Sequence, residues 1–260
     1  MKLDKRLQSL CREEEDKILL SRVLDALDSA QLRMTPKFLG FLSPAEHALV
    51  SDAVNLLHFS GGSFFGGYER AERVFFGVFP DYMEASPELF PLRALSFIYR
   101  RQDRLSHRDF LGALMGLMIK REMIGDILVA QGRTVVFVHE NVARMVLREL
   151  NKVGRVGVQG TEGFSPDMLP QPEFKQLSST VASMRFDCIL SFLLGMSREK
   201  CVRLIRSGLA AVDGRITEHV SQEIKVGDII TVRGYGKFEI TAQETVTKKG
   251  RLTICARKYL

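Results

Sequence analysis

The chain has 260 residues, 45% of them hydrophobic, and a formal net charge of +6. That length suggests two or three domains with ample apolar content for packed cores. No apolar run approaches a membrane span and the opening MKLDKRLQSLCREEEDK lacks the apolar stretch of a signal peptide, so membrane and secreted classes are set aside and a cytoplasmic protein is expected. Cys11, Cys188, Cys201 and Cys255 form no C-x-x-C pair, which argues against a zinc site or a disulfide framework and for a reducing compartment. The charge is unevenly placed. Residues 1–174 carry 22 Lys and Arg against 23 Asp and Glu, whereas residues 175–260 carry 15 against 8. A positive excess confined to the last third is the footprint of a polyanion-binding region.

In chain order, residues 12–33 read as a helix with Ile18, Leu19, Val23, Leu24, Leu27 and Leu32 on one face, ended by Thr35-Pro36. A second helix starts near Phe41, where Ser43, Pro44 and Glu46 form a capping box. Gly61-Gly62 and Gly66-Gly67 then flank Phe64-Phe65. No Gly-Lys-Ser/Thr follows, so a phosphate cradle is disfavoured against tight turns and close backbone approach beside a strand from Val74 to Phe79. Tyr68, Arg70 and Arg73 remain candidate RNA contacts.

Proline breaks at Pro80, Pro87 and Pro91 suggest a boundary near residue 85. Beyond it come a strand (92–99), a helix (106–118), two strands (124–130 and 134–138), a helix (142–150) and a last strand (155–158). That is β-α-β-β-α-β, the ferredoxin-like unit shared with the common RNA-recognition motif. The aromatic run that stacks bases in that motif is missing, although Arg100, Arg101, Arg104, Arg108, Lys120 and Arg121 gather around the first helix. His107-Arg108-Asp109 is not a kinase loop, because Leu114 stands where its asparagine belongs. Thr161 to Gln171 reads as a Gly/Pro-rich linker, and Phe174 to Val181 as a strand.

Two short helices follow. Phe186, Ile189, Leu190 and Leu193 mark the first, ended by Gly195; Ser197 caps the second, whose apolar positions are Cys201, Leu204 and Ile205 and which ends at Gly208. Arg185, Arg198, Lys200, Arg203 and Arg206 are left outside, the last three at helical spacing on roughly one face. Strand Leu209–Val212 enters an Asp213-Gly214 hairpin turn, Val226-Gly227-Asp228 turns the chain into a strand at 229–233, and residues 246–254 read as a terminal hairpin with Lys248, Lys249 and Arg251 at its tip.

This region resembles the RNA-binding domain of ribosomal protein S-four, the alpha-L motif. The anchors are Arg185-Phe186-Asp187, Ser197-Arg198, Leu204-Ile205-Arg206-Ser207-Gly208, Asp213-Gly214 and Val226-Gly227-Asp228 with Ile230-Thr231-Val232. The resemblance implies that the helix pair binds structured RNA, with Arg185, Arg198, Arg203 and Arg206 as contacts, and that Asp187 braces the pair; Lys200, Arg215 and Lys237 complete the candidate RNA-binding set as further basic residues of this region. Over the whole chain, Phe59 to Arg73, Phe79 to Tyr82 and His107 to Ile127 are similar to the YlmH family of bacterial RNA-binding proteins. Where that family commonly has glycine, this chain has Met118.

The expectation is an α+β chain in four parts: a small, mainly helical N-terminal domain with the Gly/aromatic segment (1–84), a ferredoxin-like domain (85–160), a linker and strand (161–180) and an alpha-L-type RNA-binding domain with a terminal hairpin (181–260). The resemblance implies a non-enzymatic protein of the translation apparatus, binding rRNA and peptidyl-tRNA on the large ribosomal subunit in rescue of stalled ribosomes, with no catalytic residues, cofactor, metal, membrane or small-molecule substrate. One alternative is an RNA-modifying enzyme, a pseudouridine synthase or rRNA methyltransferase. Against it, such enzymes carry this domain at the N-terminus, and their catalytic strings are missing here. Another is an adaptor in cell division or photosystem assembly.

Overall fold

The computed structural model describes residues 5–165, 174–246 and 250–259. It is an α+β structure of antiparallel sheets and helices, divided into two units, Met1–Pro170 and Gln171–Leu260. Among the described residues no helix is long and apolar enough to cross a membrane.

The first unit begins with α1 (Lys5–Gln8) and α2 (Glu14–Arg33). A capping box between Glu13 and Asp16 starts α2, and Leu19, Leu20, Val23, Ala26, Leu27 and Ala30 form its buried face. Next come β1 (Lys37–Leu42), α3 (Pro44–Leu56), β2 (Gly62–Phe65) and β3 (Val74–Val78). Ser43 and Glu46 close the expected capping box on α3: the Ser43 N–H donates to Glu46 Oε2 at 2.7 Å. The three strands pair antiparallel in the order β1-β3-β2. The mainly helical reading of residues 1–84 has the third strand of this sheet, expected at Val74–Phe79, but misses β1 and β2. The sheet's strands are four to six residues long, and Lys37–Leu42 (KFLGFL) is apolar on both faces, so it shows no alternation.

The chain continues through β4 (Leu92–Ile98), α4 (His107–Gly116), β5 (Ile124–Ala130), β6 (Arg133–His139), α5 (Glu140–Glu149), a two-residue pair β7 (Lys152–Val153) and β8 (Val156–Gly157), and β9 (Gln159–Glu162). The sheet order is β5-β6-β4-β9, all antiparallel, so a strand lies between the two ends of each β-α-β crossover. The last strand differs from the expected 155–158. Residues 152–157 turn back on themselves as β7 and β8, and the sheet is completed by β9, inside what reads as the start of a linker. A polar strand, Gln-Gly-Thr-Glu, carries no hydrophobic signal; backbone pairing to Leu95–Ile98 holds it.

Both faces of this sheet are covered. On one side Leu95, Phe97, Val136 and Val138 pack with Phe110 and Leu114 of α4 and Val146 of α5. On the other, Val135 and Phe137 join Phe41, Phe75, Phe79 and Phe90 in an aromatic layer shared with the first sheet, whose far side is covered by α2 and α3. Strict alternation makes this possible: Phe75 and Phe79 face the layer, Phe76 and Val78 the helices. The glycine segment serves close approach. Gly67 has φ +101°, and a Cβ there would sit 2.3 Å from Phe137 Cδ1.

The second unit comprises β10 (Phe174–Val181), α6 (Phe186–Leu194), α7 (Arg198–Arg206), β11 (Ala210–Val212), β12 (Arg215–Ile216), β13 (Ile229–Val232), β14 (Gly236–Val246) and β15 (Leu252–Tyr259). Its antiparallel sheet runs β10-β15-β14-β13-β11-β12. Phe186, Ile189, Leu190, Leu193, Cys201 and Ile205 of the helix pair bury one sheet face, formed by Ile230, Val232, Phe238, Ile240, Ile254 and Ala256. The Asp213-Gly214 turn has positive φ at both residues, 49° and 77°, the geometry of a two-residue hairpin. The terminal hairpin is longer than the sequence suggests, and Lys248 and Lys249 lie outside the described residues.

Candidate nucleic-acid interface

Buried Asp187 organises the helix pair. It lies in the first turn of α6 and is only 2% exposed. Arg185 Nε donates to its Oδ1 at 3.2 Å, and Arg198 donates to Oδ2 from Nε at 3.1 Å and again from Nη2. One carboxylate therefore ties the start of α7 to the start of α6. Burial works to raise the Asp187 pKa, but the two guanidiniums outweigh it and hold the carboxyl below its usual value. Arg198 is raised in turn, first by its hydrogen bond to Asp187. Gly195, at φ 63°, makes the sharp reversal between the helices, and Ser197 Oγ accepts from the Lys200 N–H.

The segment between β12 and β13 laces onto the same end. Phe186 N–H donates to Gln222 O at 2.8 Å, Asp187 N–H to Val220 O at 3.1 Å, and Ile224 N–H to Met184 O at 2.9 Å. Nothing in the sequence pattern marks these contacts, which are backbone to backbone.

On α7, Cys201 and Ile205 are buried, while Arg198, Lys200, Arg203 and Arg206 are exposed. Arg203 pairs with Glu199 one turn back, an ion pair almost wholly in water. Lys200 and Arg206 have no ion-pair partner among the described residues. Of the seven expected contacts, the structure thus gathers five at the helix pair. Arg185 and Arg198 are both half-exposed and committed to Asp187; Lys200, Arg203 and Arg206 form the outward row.

Arg215 and Lys237 stand apart from that row. Arg215 is half-buried on the edge strand β12, paired in register with Val212. Lys237 alternates with buried Phe238 and so lies on the sheet face turned away from the helices, its Nζ 5.0 Å from the Tyr259 ring centroid. There Glu239 accepts from Arg257 Nε at 2.8 Å, from Arg257 Nη2 at 2.9 Å and from the Tyr259 hydroxyl at 2.8 Å, and Arg257 covers the Phe174 ring at 4.4 Å. Strand register assembles this cluster from three distant stretches, so the sequence alone does not show it.

In the first unit, Tyr68 and Arg73 are turned inward. Asp126, 8% exposed, accepts from the Tyr68 hydroxyl at 2.7 Å and from the N–H groups of Glu72 at 2.7 Å and Arg73 at 3.1 Å. The Arg73 guanidinium donates to Phe41 O at 2.6 Å and Ile124 O at 3.0 Å. Burial, with Arg121 nearby, pushes its pKa down to about 10. Burial also raises Asp126 and Tyr68. These residues clasp the glycine segment to β5, and of the three candidate contacts there, Tyr68, Arg70 and Arg73, Arg70 alone is exposed.

Residues 90–163, from just before β4 through β9, match the family model described as "Putative RNA-binding domain in YlmH". Across 240 residues the chain is 30% identical to "Ribosome-associated protein quality control protein P2" of Bacillus subtilis (strain 168), covering 92% of this chain and 93% of that one. The chain belongs to the YlmH family. Its fold is also similar to that of "Cell division protein ylmH from Streptococcus pneumoniae", with a TM-score of 0.54 at 19% identity over 62% of this chain and 98% of the other. In this YlmH-family chain the basic helix pair lies outside the matched residues 90–163, so the two candidate RNA-facing regions are separate in sequence.

Proposed function

We propose that this chain is a non-enzymatic, ribosome-associated RNA-binding protein that acts in the quality control of stalled ribosomes. The observation that carries the reading is near full-length similarity to a relative named for ribosome-associated quality control. The family model described as an RNA-binding domain supports it. So does the basic outer row of α7 in the unit with the positive charge excess.

In this reading residues 181–260 are an alpha-L-type RNA-binding domain and residues 85–160 a ferredoxin-like one, and the site of action is the cytoplasm. The target is rRNA of the large subunit together with peptidyl-tRNA. Lys200, Arg203 and Arg206 meet phosphates directly. Arg198 and Arg185 contribute their remaining N–H groups while holding the helix pair together. Arginine forks suit phosphate oxygens, and free N–H groups at the start of α7 add to the attraction. Phosphate contacts position a protein without reading sequence, so specificity comes from RNA shape.

The test is co-sedimentation of the full chain with ribosomal particles on sucrose gradients. The wild type is expected with the large subunit, and Lys200→Ala/Arg203→Ala/Arg206→Ala near the top. A wild type that stays at the top contradicts ribosome association. A triple variant that still travels with the subunit removes the α7 row from the mechanism.

A further inference from the structure

We propose that the matched residues 90–163 hold folded RNA by its phosphate backbone, through Arg101 and Arg104 on the β4–α4 connection and Arg108 in the first turn of α4, and not by stacking bases on their sheet. This deepens the proposed function: it rests on the chain's binding RNA and adds a second contact surface, in the first unit.

In the common RNA-recognition motif, a four-stranded sheet with two helices on one face binds single strands by stacking bases on aromatic side chains of the helix-free face. Here that face is already filled. Phe137, on the central strand β6, has Tyr68 stacked on it at 5.2 Å and 23°, and Phe164 set edge-on at 5.4 Å and 76°. Tyr68 is anchored through its hydroxyl to Asp126, and the Gly67 backbone rests on the same ring. Phe137 and its neighbour Val135 are fully buried. A base reaches them only by prising apart the aromatic layer that joins the two sheets. The protein's own tyrosine occupies the place a nucleobase takes on an open sheet.

What remains open is the end of the sheet where β4 leaves it. Ile98, the last residue of β4, is 54% exposed and paired in register with Arg133. The connection that follows is held at both ends. Tyr99 N–H donates to Gly132 O at 3.0 Å and Gln131 Nε2 to Arg101 O at 3.4 Å, while Ser106 and Asp109 cap α4. Arg100 is engaged by Asp103 at 2.9 Å. Arg101, Arg104 and Arg108 are exposed and have no ion-pair partner among the described residues. They stand so in a stretch, residues 1–174, where acidic residues slightly outnumber basic ones, so a general excess of cations does not account for them. A short, anchored connection and the helix turn that follows it, together presenting three guanidiniums, match the chemistry of consecutive phosphates.

The experiment is fluorescence anisotropy of the full chain with a labelled RNA hairpin, titrated at several salt concentrations. Four proteins are compared: wild type, Arg101→Ala/Arg104→Ala/Arg108→Ala, the same three positions changed to Lys, and the α7 triple variant Lys200→Ala/Arg203→Ala/Arg206→Ala. The expected result is that the loop alanine variant loses affinity and its log–log salt slope falls by about two, at roughly 0.7–0.9 per phosphate contact. The lysine variant keeps most of the slope. An unchanged slope and affinity in the loop alanine variant, alongside a loss in the α7 variant, overturns this proposal and leaves the proposed function standing. A wild type that does not bind the hairpin overturns both. A Phe137→Leu variant that stays folded and loses affinity with its slope unchanged also overturns it, because the sheet face would then be in use.

Discussion

Asp187 is a buried carboxylate whose partners, Arg185 and Arg198, are two of the candidate phosphate contacts. Its effect on stability follows from the sign of its pKa shift. A carboxyl held below its usual value stabilises the fold fully above about pH 4, the ordinary carboxylate range, and that contribution fades as pH falls through the depressed native value. Asp187→Asn is expected to cost about 1–2 kcal/mol at neutral pH, the low end for charged hydrogen bonds because the guanidiniums are half in water. The gap between variant and wild type should close below about pH 4. Hydrogen exchange of the α6 and α7 amides across pH measures it, and a gap that does not depend on pH contradicts the brace. Arg198 shares this structural duty, so Arg198→Ala confounds loss of the brace with loss of a phosphate contact. Lys200, Arg203 and Arg206 separate the two.

At the scale of elements, two glycines carry sharp expectations. Gly195→Ala places a side chain at φ 63° between α6 and α7, and should cost about 1–2 kcal/mol. Gly67→Ala combines φ +101° with a Cβ 2.3 Å from the Phe137 ring, and should cost about 2–4 kcal/mol. Thermal unfolding checks both, and a larger loss at Gly195 than at Gly67 contradicts the packing described for the aromatic layer. Elements with a strong local signal were legible in the sequence: α3 with its capping box, β5 and β6, β10, and the helix pair with the Asp213-Gly214 turn. In the first sheet only β3 was; β1, β2 and β9 were not. Lys37–Leu42 is apolar throughout and β9 is polar throughout, and each is a strand because a neighbouring strand offers its backbone. The same limit hid the Glu239–Arg257–Tyr259 cluster, which depends on register between β14 and β15.

At the scale of the whole molecule, the positive excess and the outward arginines of α7 fall in one unit, and the match to an RNA-binding domain falls in the other. The sequence made the basic row on α7 legible through its spacing, but it could not show that the pleat sets Lys237 on the sheet face away from the helices, and it left Tyr68 and Arg73 open to RNA when the Asp126 clasp turns them inward. The central claim is that the α7 row grips RNA by its phosphates. Its most direct test is the salt dependence of RNA affinity for the full chain, wild type against Lys200→Ala/Arg203→Ala/Arg206→Ala. The triple variant is expected to bind more weakly, with a log–log slope smaller by about two, from roughly 0.7–0.9 per lost contact. Equal affinities and equal slopes would contradict it.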